Sequence, residues 1–222
     1  MQNFFASAII LLIEKFKTTF EKIMVIYFDT ETTGLTPGRI IQLSYILDDG
    51  IKPVGKNFYF AVEYIDPSAV AVHGISLEKL AVLSGAHTFS EYAEEIYDDF
   101  ANASLIIAHN IKFDLNFMMA EFRYMDRIFR YQESLDSMKY FTPIMKITKP
   151  GKPNYKYPKL VELTEFADIY PYDVTRGIER IFGSLSAGGF HAADFDATAL
   201  YLAMDSLKDR YPELKELLDR YL

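Results

Sequence analysis

The order of strand-like and helix-like segments constrains the fold of this chain most strongly. Three strand-like segments come first and are joined by short connections, which favours an antiparallel meander. Two further apolar strands then alternate with segments of helical periodicity. The predicted strands span residues 24–29, 39–47, 57–62, 105–108 and 133–135. This order predicts an α/β fold in which a mixed five-stranded sheet is flanked by helices.

Capping patterns mark where several helices begin. Asp66 followed by Pro67 is typical of an N-cap and a first helical position. Thr88 and Glu91 have the spacing of a capping box, which predicts a helix from there to about residue 102. Further helices are predicted from about residue 113, from Asp136-Ser137, and over residues 160–169, 193–207 and 212–222.

Composition limits the compartment and the kind of partner. The chain has no cysteine, which excludes disulfides and thiolate metal sites and suits a reducing compartment, so we expect a cytoplasmic protein. The net charge is −8 at pH 7. An acidic chain is a poor general coat for nucleic acid, because non-specific binding rests on many lysine and arginine contacts. Any nucleic-acid binding is therefore expected to be local or helped by metal ions.

Residues 1–23 are predicted to form an amphipathic helical extension to a domain that spans residues 24–222. Residues 4–13 are apolar or small, but a membrane span needs about 20 such residues. No lysine or arginine precedes this run and no small-residue cleavage site follows it, so we expect neither a signal peptide nor a membrane protein. The helical spacing predicts packing on the domain or on a second copy in a homodimer, and a membrane-surface helix is the alternative.

A pair of acids ends the first predicted strand. Asp29 and Glu31 are two residues apart, so they point to the same side of an extended strand. Two carboxylates this close repel each other, and one pKa should rise unless a cation lies between them. The pair predicts a metal site or a shared proton. Taken alone, it also fits an ordinary cap or surface pair.

Two more acids follow later segments. Asp114 lies in the first turn of the helix after the strand at residues 105–108, and ligands collect at the carboxyl ends of strands in open α/β sheets. Asp196 follows His191 by five residues, and two glycines precede that histidine. A histidine on such an approach suits a base that must move onto a substrate. Taken alone, Asp114 is also an ordinary helix N-terminal acid, and Asp194 competes with Asp196 as a ligand.

Four carboxylates at one site need cations if they are to stay ionised together. Oxygen ligands favour Mg²⁺ or Mn²⁺ over zinc, and two such ions about 3.5–4 Å apart are the usual arrangement for cleaving phosphodiesters. One ion holds the attacking water and the other stabilises the leaving oxygen. A neutral imidazole, whose ordinary pKa is about 6.5, can take the proton of the water. These residues predict a metal-dependent phosphodiesterase.

Three motifs occur in a fixed order along the chain. The first is Asp-x-Glu followed by Thr and Gly, at residues 29–34. The second is His-Asn-x-x-Phe-Asp, at residues 109–114. The third is His-x-Ala-x-x-Asp, at residues 191–196. This set resembles the DEDDh, or DnaQ-like, family of 3′-5′ exonucleases, which includes the epsilon proofreading subunits of bacterial replicative DNA polymerases, ribonuclease T and oligoribonuclease. The resemblance selects Asp196 over Asp194 as the acid of the third motif. The similarity runs from about residue 24 to residue 207.

The resemblance implies a ribonuclease H-like three-layer fold and a role for each motif residue. Two Mg²⁺ or Mn²⁺ ions would be bound by four acids, Asp29, Glu31, Asp114 and Asp196. His191 would be the general base.

The resemblance also implies contacts with the last nucleotide of the substrate. These would come from Thr32, Thr33 and the segment around His73, while Asn110 and Phe113 would support the second motif. Loop capping and core packing are the alternatives for Asn110 and Phe113. His109 is expected to orient the turn that it precedes rather than to bind a metal.

Residues 137–161 differ in charge from the rest of the chain, because they hold six lysines and no acid. Tyr155 and Tyr157 lie among these lysines. One interpretation is an arm that contacts phosphates and stacks on bases, with Lys152 and Lys156 as candidate substrate contacts. The alternative is a solvated loop between helices.

The leading hypothesis is an exonuclease that removes nucleotides from the 3′ end of single-stranded DNA, in repair or as a proofreading partner of a DNA polymerase. Trimming of RNA 3′ ends is the first alternative. A non-catalytic nucleic-acid-binding module and a metal-dependent phosphatase acting on free nucleotides are alternatives from other classes.

Overall fold

The computed structural model describes residues 24–35, 38–183 and 192–222. These residues form five strands and nine helices. The strands are β1 (Val25–Thr32), β2 (Ile40–Asp48), β3 (Val54–Tyr59), β4 (Leu105–Ala108) and β5 (Glu133–Asp136). The helices are α1 (Pro67–His73), α2 (Leu77–Ser84), α3 (Phe89–Asn102), α4 (Ile111–Tyr124), α5 (Ser137–Met145), α6 (Leu160–Phe166), α7 (Pro171–Phe182), α8 (Ala193–Lys208) and α9 (Pro212–Leu218). The helix predicted within residues 1–23 lies outside the described residues.

The five strands form one sheet in the order β3-β2-β1-β4-β5. The first three strands pair antiparallel, as predicted for a meander. The pairs β1–β4 and β4–β5 are parallel. The prediction of a mixed five-stranded sheet is therefore confirmed. Because β1, β4 and β5 run in the same direction, their carboxyl ends meet at one edge of the sheet, where ligands collect in such folds.

Helices cover both faces of the sheet, because alternate residues of β1 belong to different cores. Ile26 and Phe28 pack with α3 and α4 on one face. Val25 and Tyr27 pack with α8 and its neighbours on the other face. The first four residues of β1 are buried on both faces. Beyond them the face of Thr30 and Thr32 stays buried, while the face of Asp29 and Glu31 becomes partly exposed.

Several local predictions are confirmed in detail. Asp66 caps α1, because its carboxylate accepts a hydrogen bond from the Ser68 N–H at 2.7 Å. Thr88 and Glu91 form the predicted capping box, and α3 ends at Asn102. The strand predicted at residues 57–62 is shifted, since β3 spans Val54–Tyr59. Its bounds are set by pairing with β2, and Phe60 contributes one more hydrogen bond, to the Ile41 carbonyl.

The lysine-rich segment is not a loop throughout, because the helix predicted to start at Asp136-Ser137 is present as α5. Two helices were not predicted, α2 and α7. Gly177 weakens the helical pattern of α7, and its place there is explained by packing: a Cβ atom at this position would lie 2.8 Å from Thr198 Cγ2 of α8. Helices α6 and α9 begin where predicted but end earlier, at Phe166 and Leu218 instead of residues 169 and 222.

Among the residues that the structure describes, no helix is both long enough and apolar enough to cross a membrane.

Candidate active site

Three carboxylates from two elements come together at the carboxyl end of β1. Asp29 and Glu31 lie on the same face of β1, and Asp196 lies in the first turn of α8, which packs on that face. One oxygen from each of the three side chains lies within 4.8 Å of the other two. All three residues are partly exposed, so solvent and a small ligand can reach them. The structure therefore brings together three of the four predicted metal ligands.

Asp114, the fourth predicted ligand, lies outside this group of three. It lies in the first turn of α4 and is buried, with 3% of its surface exposed. One of its oxygens, Oδ1, accepts a hydrogen bond from the Thr30 N–H at 3.1 Å and another from the Thr30 hydroxyl at 2.8 Å. Its charge still acts on the group, because it helps to raise the pKa of both Asp29 and Glu31. Asp114 is thus held in a fixed position by β1, next to the three carboxylates.

Burial and mutual repulsion raise the pKa of these acids. Burial is the main cause for Asp29, followed by the charges of Asp114, Asp196 and Glu31, and its pKa lies well above the ordinary value of 3.8. The pKa of Glu31 rises to about 9 for the same kinds of reason. Burial raises the pKa of Asp114 to about 7, against the opposing effect of the hydrogen bonds from Thr30. Without a cation, the site therefore holds protons at neutral pH.

The chemistry of the donors fits a hard divalent cation. The group consists of carboxylate oxygens, and such ligands suit Mg²⁺ or Mn²⁺ better than zinc. A bound cation would replace the retained protons and relieve the repulsion between the acids. The acidic group could therefore hold a metal ion.

The start of α8 is fixed by a residue that sequence reasoning missed. Gln42 of β2 is fully buried, and its side-chain oxygen accepts a hydrogen bond from the Ala193 N–H at 3.1 Å. Asp194 is also buried, and its Oδ1 lies 3.5 Å from the Gln42 side-chain nitrogen. Of the two competing acids, Asp196 therefore lies in the carboxylate group and Asp194 faces Gln42. The available signal was a glutamine flanked by apolar residues, Ile41 and Leu43, within a predicted strand.

His191 and the glycines before it lie outside the described residues, so its role as the base remains a prediction.

The residues predicted to contact the last nucleotide lie beside the loop after β1 and at the end of α1. The Thr32 hydroxyl donates to the Gly34 carbonyl at 2.9 Å. The Thr33 hydroxyl accepts from the Arg39 N–H, and the Thr33 N–H donates to the Arg39 carbonyl, both at 2.9 Å. His73 is buried, and its Nδ1 accepts from the Ile75 N–H at 3.0 Å. These bonds fix the side chains, and their contact with a nucleotide remains a prediction.

The second motif begins with a strained turn at Asn110. This residue has a left-handed φ of 73°, and its N–H donates to Asp136 Oδ1 at 3.2 Å. Asparagine tolerates this conformation better than most residues, which explains its place here. Phe113 packs against the core and lies 4.9 Å from the Phe117 ring, in keeping with the packing alternative.

His109 joins the end of β4 to the lysine-rich segment. Its Nδ1 lies 3.0 Å from the Ser137 hydroxyl and its Nε2 lies 2.9 Å from the Pro158 carbonyl. Burial lowers the pKa of His109, which favours the neutral ring. A neutral ring that donates from Nε2 to Pro158 accepts from the Ser137 hydroxyl at Nδ1. These contacts agree with the expectation that His109 orients the chain, and they place residue 158 next to the second motif.

The two candidate lysines differ in their surroundings. Lys156 forms an ion pair with Glu162 of α6, and its side chain is 20% exposed. Lys152 is exposed and lies in a turn closed by its N–H and the Lys149 carbonyl at 3.1 Å. Tyr155 and Tyr157 are 46% and 59% exposed. Lys152 is thus the more accessible of the two cations to a phosphate.

Comparison with known proteins identifies the class. The family model described as an exonuclease, RNase_T, matches residues 26–170, which is more than half of the chain. The chain therefore belongs to this exonuclease family, and within it to the DnaQ-like 3′-5′ exonucleases, as the three motifs had indicated.

Two relatives illustrate the similarity. The DNA polymerase III subunit epsilon of Escherichia coli K12 is 35% identical over 112 residues, which cover 46% of this chain and 44% of that protein. The 3′-5′ exonuclease DinG of Staphylococcus haemolyticus is 30% identical over 188 residues, which cover 84% of this chain and 18% of that protein. The matched regions span less than half the length of either relative.

A solved structure shares the fold. The complex of Escherichia coli exonuclease I with single-stranded DNA aligns with a TM-score of 0.66 at 19% identity, covering 89% of this chain and 43% of that one. The predicted ribonuclease H-like fold, with a mixed sheet between helices, is therefore confirmed.

Proposed function

We propose that this chain is a metal-dependent exonuclease that shortens single-stranded DNA from its 3′ end. The observation that carries the proposal is the meeting of Asp29, Glu31 and Asp196 within 4.8 Å of one another, at the carboxyl end of a central strand. Asp114 lies close enough to alter the pKa of the first two. Such a concentration of acids opposes binding of a polyanion unless cations are present, so a phosphodiester substrate requires the metal.

We assign a role to each of the motif residues. Two Mg²⁺ or Mn²⁺ ions would be held by Asp29, Glu31, Asp196 and Asp114. Bound divalent cations would supply a Lewis acid that activates water and neutralises charge on the scissile phosphate. Thr30 keeps Asp114 in place through its two hydrogen bonds. His191 would accept the proton of the attacking water, for which a neutral imidazole is suited at working pH.

The substrate is proposed from the relatives and from the surface next to the site. The named relatives include a DNA polymerase subunit and a 3′-5′ exonuclease, and the solved structure contains single-stranded DNA. The contact between His109 and the Pro158 carbonyl holds one end of the lysine- and tyrosine-bearing segment beside the second motif. Exposed tyrosines among lysines suit a flexible single strand, since bases stack on the rings and phosphates pair with the cations.

The cellular role is open between two proposals. A proofreading partner of a DNA polymerase is supported by the similarity to epsilon subunits, and an independent exonuclease by the similarity to the 3′-5′ exonuclease DinG. RNA is the alternative substrate, in which case the enzyme trims RNA 3′ ends.

The test is a gel assay on the purified chain with Mg²⁺. Two 5′-labelled single strands of the same sequence, one DNA and one RNA, are each incubated with the wild type and with Asp29→Ala. A ladder that shortens from the 3′ end and is lost in the variant supports the proposal, and the faster strand decides between DNA and RNA. If neither strand is shortened in Mg²⁺ or Mn²⁺, the proposal is overturned in favour of a binding module or a phosphatase for free nucleotides.

A further inference from the structure

Gln42 is a buried amide in a strand whose neighbouring residues are apolar. None of its surface is exposed, and Ile40, Ile41 and Leu43 beside it are equally buried. Burying an amide is unfavourable unless its polar atoms are hydrogen-bonded. Here they are: Oε1 accepts from the Ala193 N–H at 3.1 Å, and Nε2 donates to Asn57 Oδ1 at 3.0 Å. Gln42 thereby links β2 to β3 and to the start of α8.

The helix that donates this bond has no capping side chain at its N-cap position, although Asp194 within its first turn accepts from the Phe195 N–H at 3.1 Å. The N-cap position of α8 is Ala192, and alanine has no side-chain acceptor for the first N–H groups of a helix. Gln42 supplies an acceptor from the sheet to the first helical residue, Ala193. Asp196 is in the same turn, because its N–H donates to the Ala192 carbonyl at 3.0 Å. The placement of this turn therefore sets the placement of the Asp196 carboxylate.

The sheet register brings this contact next to the acids of β1. Gln42 lies directly opposite Glu31 in the β1–β2 pairing, so the two side chains project from the same face of the sheet. The register shifts immediately after this pair, between Glu31 and Thr32. Gln42 thus belongs to the last regular residue pair before the end of β1. It contacts α8, the helix that carries Asp196, and lies beside β1, the strand that carries Asp29 and Glu31.

We infer that Gln42 is a positioning residue for the metal site: by holding the first turn of α8 on the sheet, it keeps Asp196 within reach of Asp29 and Glu31. The inference rests on the proposed function, since it assumes that these three acids bind a cation. Residues that orient metal ligands without touching the metal commonly change metal affinity by about 10–100-fold when they are replaced. A residue that only stabilises the fold would lower the melting temperature without changing that affinity.

The experiment measures metal binding without substrate, by calorimetric titration of Mg²⁺, and of Mn²⁺ in parallel, into the full chain. Gln42→Met is unbranched, similar in length and unable to hydrogen-bond to Ala193. Its Kd for Mg²⁺ is expected to rise at least about ten-fold. Tyr45→Phe is the matched control. It also removes a side-chain hydrogen bond of β2, from the Tyr45 hydroxyl to Asp99 Oδ2 at 2.7 Å, but on the opposite face of the sheet from the acids.

The outcomes separate this inference from the proposed function. If the wild type binds the cation and Gln42→Met is folded with an unchanged Kd, the inference is overturned and the proposed function stands. A lower melting temperature with an unchanged Kd also overturns the inference, since it marks a structural role. If the wild type binds neither cation, the proposed function fails and the inference falls with it. If Gln42→Met does not fold, Gln42→Asn takes its place. Its side chain retains the amide but is one methylene too short to reach Ala193, so the same loss of Mg²⁺ affinity is expected.

Discussion

Thr30 holds one oxygen of Asp114 with two hydrogen bonds, one from its backbone N–H at 3.1 Å and one from its hydroxyl at 2.8 Å. Thr30 lies between Asp29 and Glu31 in the chain, but its side chain points to the opposite face of β1, toward α4. One strand therefore organises acids on both of its faces. Asp29 and Glu31 are its own side chains, and Asp114 is fixed by the residue between them.

Replacing Thr30 by valine should lower the rate of strand shortening. Valine keeps the shape and the backbone N–H but removes the hydroxyl that donates to Asp114. A buried hydrogen bond to a charged group contributes about 1.5–3 kcal/mol, so we expect the free energy of unfolding to fall by about that amount. If the same contribution is lost in the transition state, kcat falls by about 10- to 100-fold. Single-turnover kinetics and thermal unfolding measure the two effects. Thr164→Val is the control, because that hydroxyl donates to the Val161 carbonyl at 2.9 Å, within α6. Equal kcat values for Thr30→Val and the wild type would contradict a role for this bond in catalysis.

Asp29→Asn should abolish activity and yet raise the stability of the metal-free protein. The substitution removes one carboxylate from a group in which burial and neighbouring acids raise the pKa of Asp29. A gain of about 1 kcal/mol would raise the Tm by about 2–4 °C in a chain of this size. Thermal unfolding in EDTA measures this effect. A sharp fall in Tm would show instead that Asp29 is needed for the fold.

The stability of the metal-free protein should decrease as the pH rises from about 4.5 to 9. The pKa of Glu31 is about 9 in the folded protein, against an ordinary value of 4.5, and that of Asp114 is about 7, against 3.8. Between these values the folded protein keeps protons that the unfolded chain has lost, so the free energy of unfolding falls with increasing pH. The stability that these two acids contribute by keeping their protons is fully present below about pH 4 and is lost above about pH 9. Urea unfolding in EDTA at pH 6 and pH 8.5 checks the sign, and Glu31→Gln should flatten the dependence.

Metal binding should release protons at neutral pH. The acids of the group keep protons when no cation is bound, and a divalent cation requires ionised carboxylates. We therefore expect the affinity for Mg²⁺ to increase with pH from 6 to 8.5. Titration calorimetry at pH 7.5 in two buffers with different ionisation enthalpies gives the number of protons released. Heats that do not depend on the buffer would mean that the acids are already ionised without metal.

Lys152→Gln should weaken binding of a single strand and make that binding less dependent on salt. Each phosphate contact with a single strand contributes about 0.7 to the slope of log K against log salt concentration. Lys152 is exposed, whereas Lys156 is paired with Glu162, so we expect the larger effect from Lys152. Fluorescence anisotropy with a labelled oligonucleotide measures both quantities, with Lys215→Gln on α9 as the control. The same affinity and slope in Lys152→Gln and the wild type would exclude this lysine as a phosphate contact.

Local signals were sufficient for most of the fold. The capping pairs at Asp66 and Thr88 and the apolar run of β4 act through neighbours in the chain, so their consequences can be read from short segments. Where pairing or packing between distant segments decides a boundary, sequence reasoning was less accurate. β3 was placed three residues too late because its register is fixed by β2. α7 is a different case, because its local signals were present and were not used: Pro171 stands at the first helical position, and the buried residues Val174, Ile178 and Ile181 have helical spacing.

The sequence by itself determined the family and the set of acids, because motifs with fixed spacing on strands and helix starts carry their chemistry with them. Only the tertiary structure decided how those acids are arranged. Asp29, Glu31 and Asp196 form a close group, Asp114 is fixed beside it by Thr30, and Asp194 turns to Gln42. The last two of these placements depend on hydrogen bonds between residues that are 84 and 152 positions apart in the chain. Such contacts exist only once α4 and α8 are packed on the sheet.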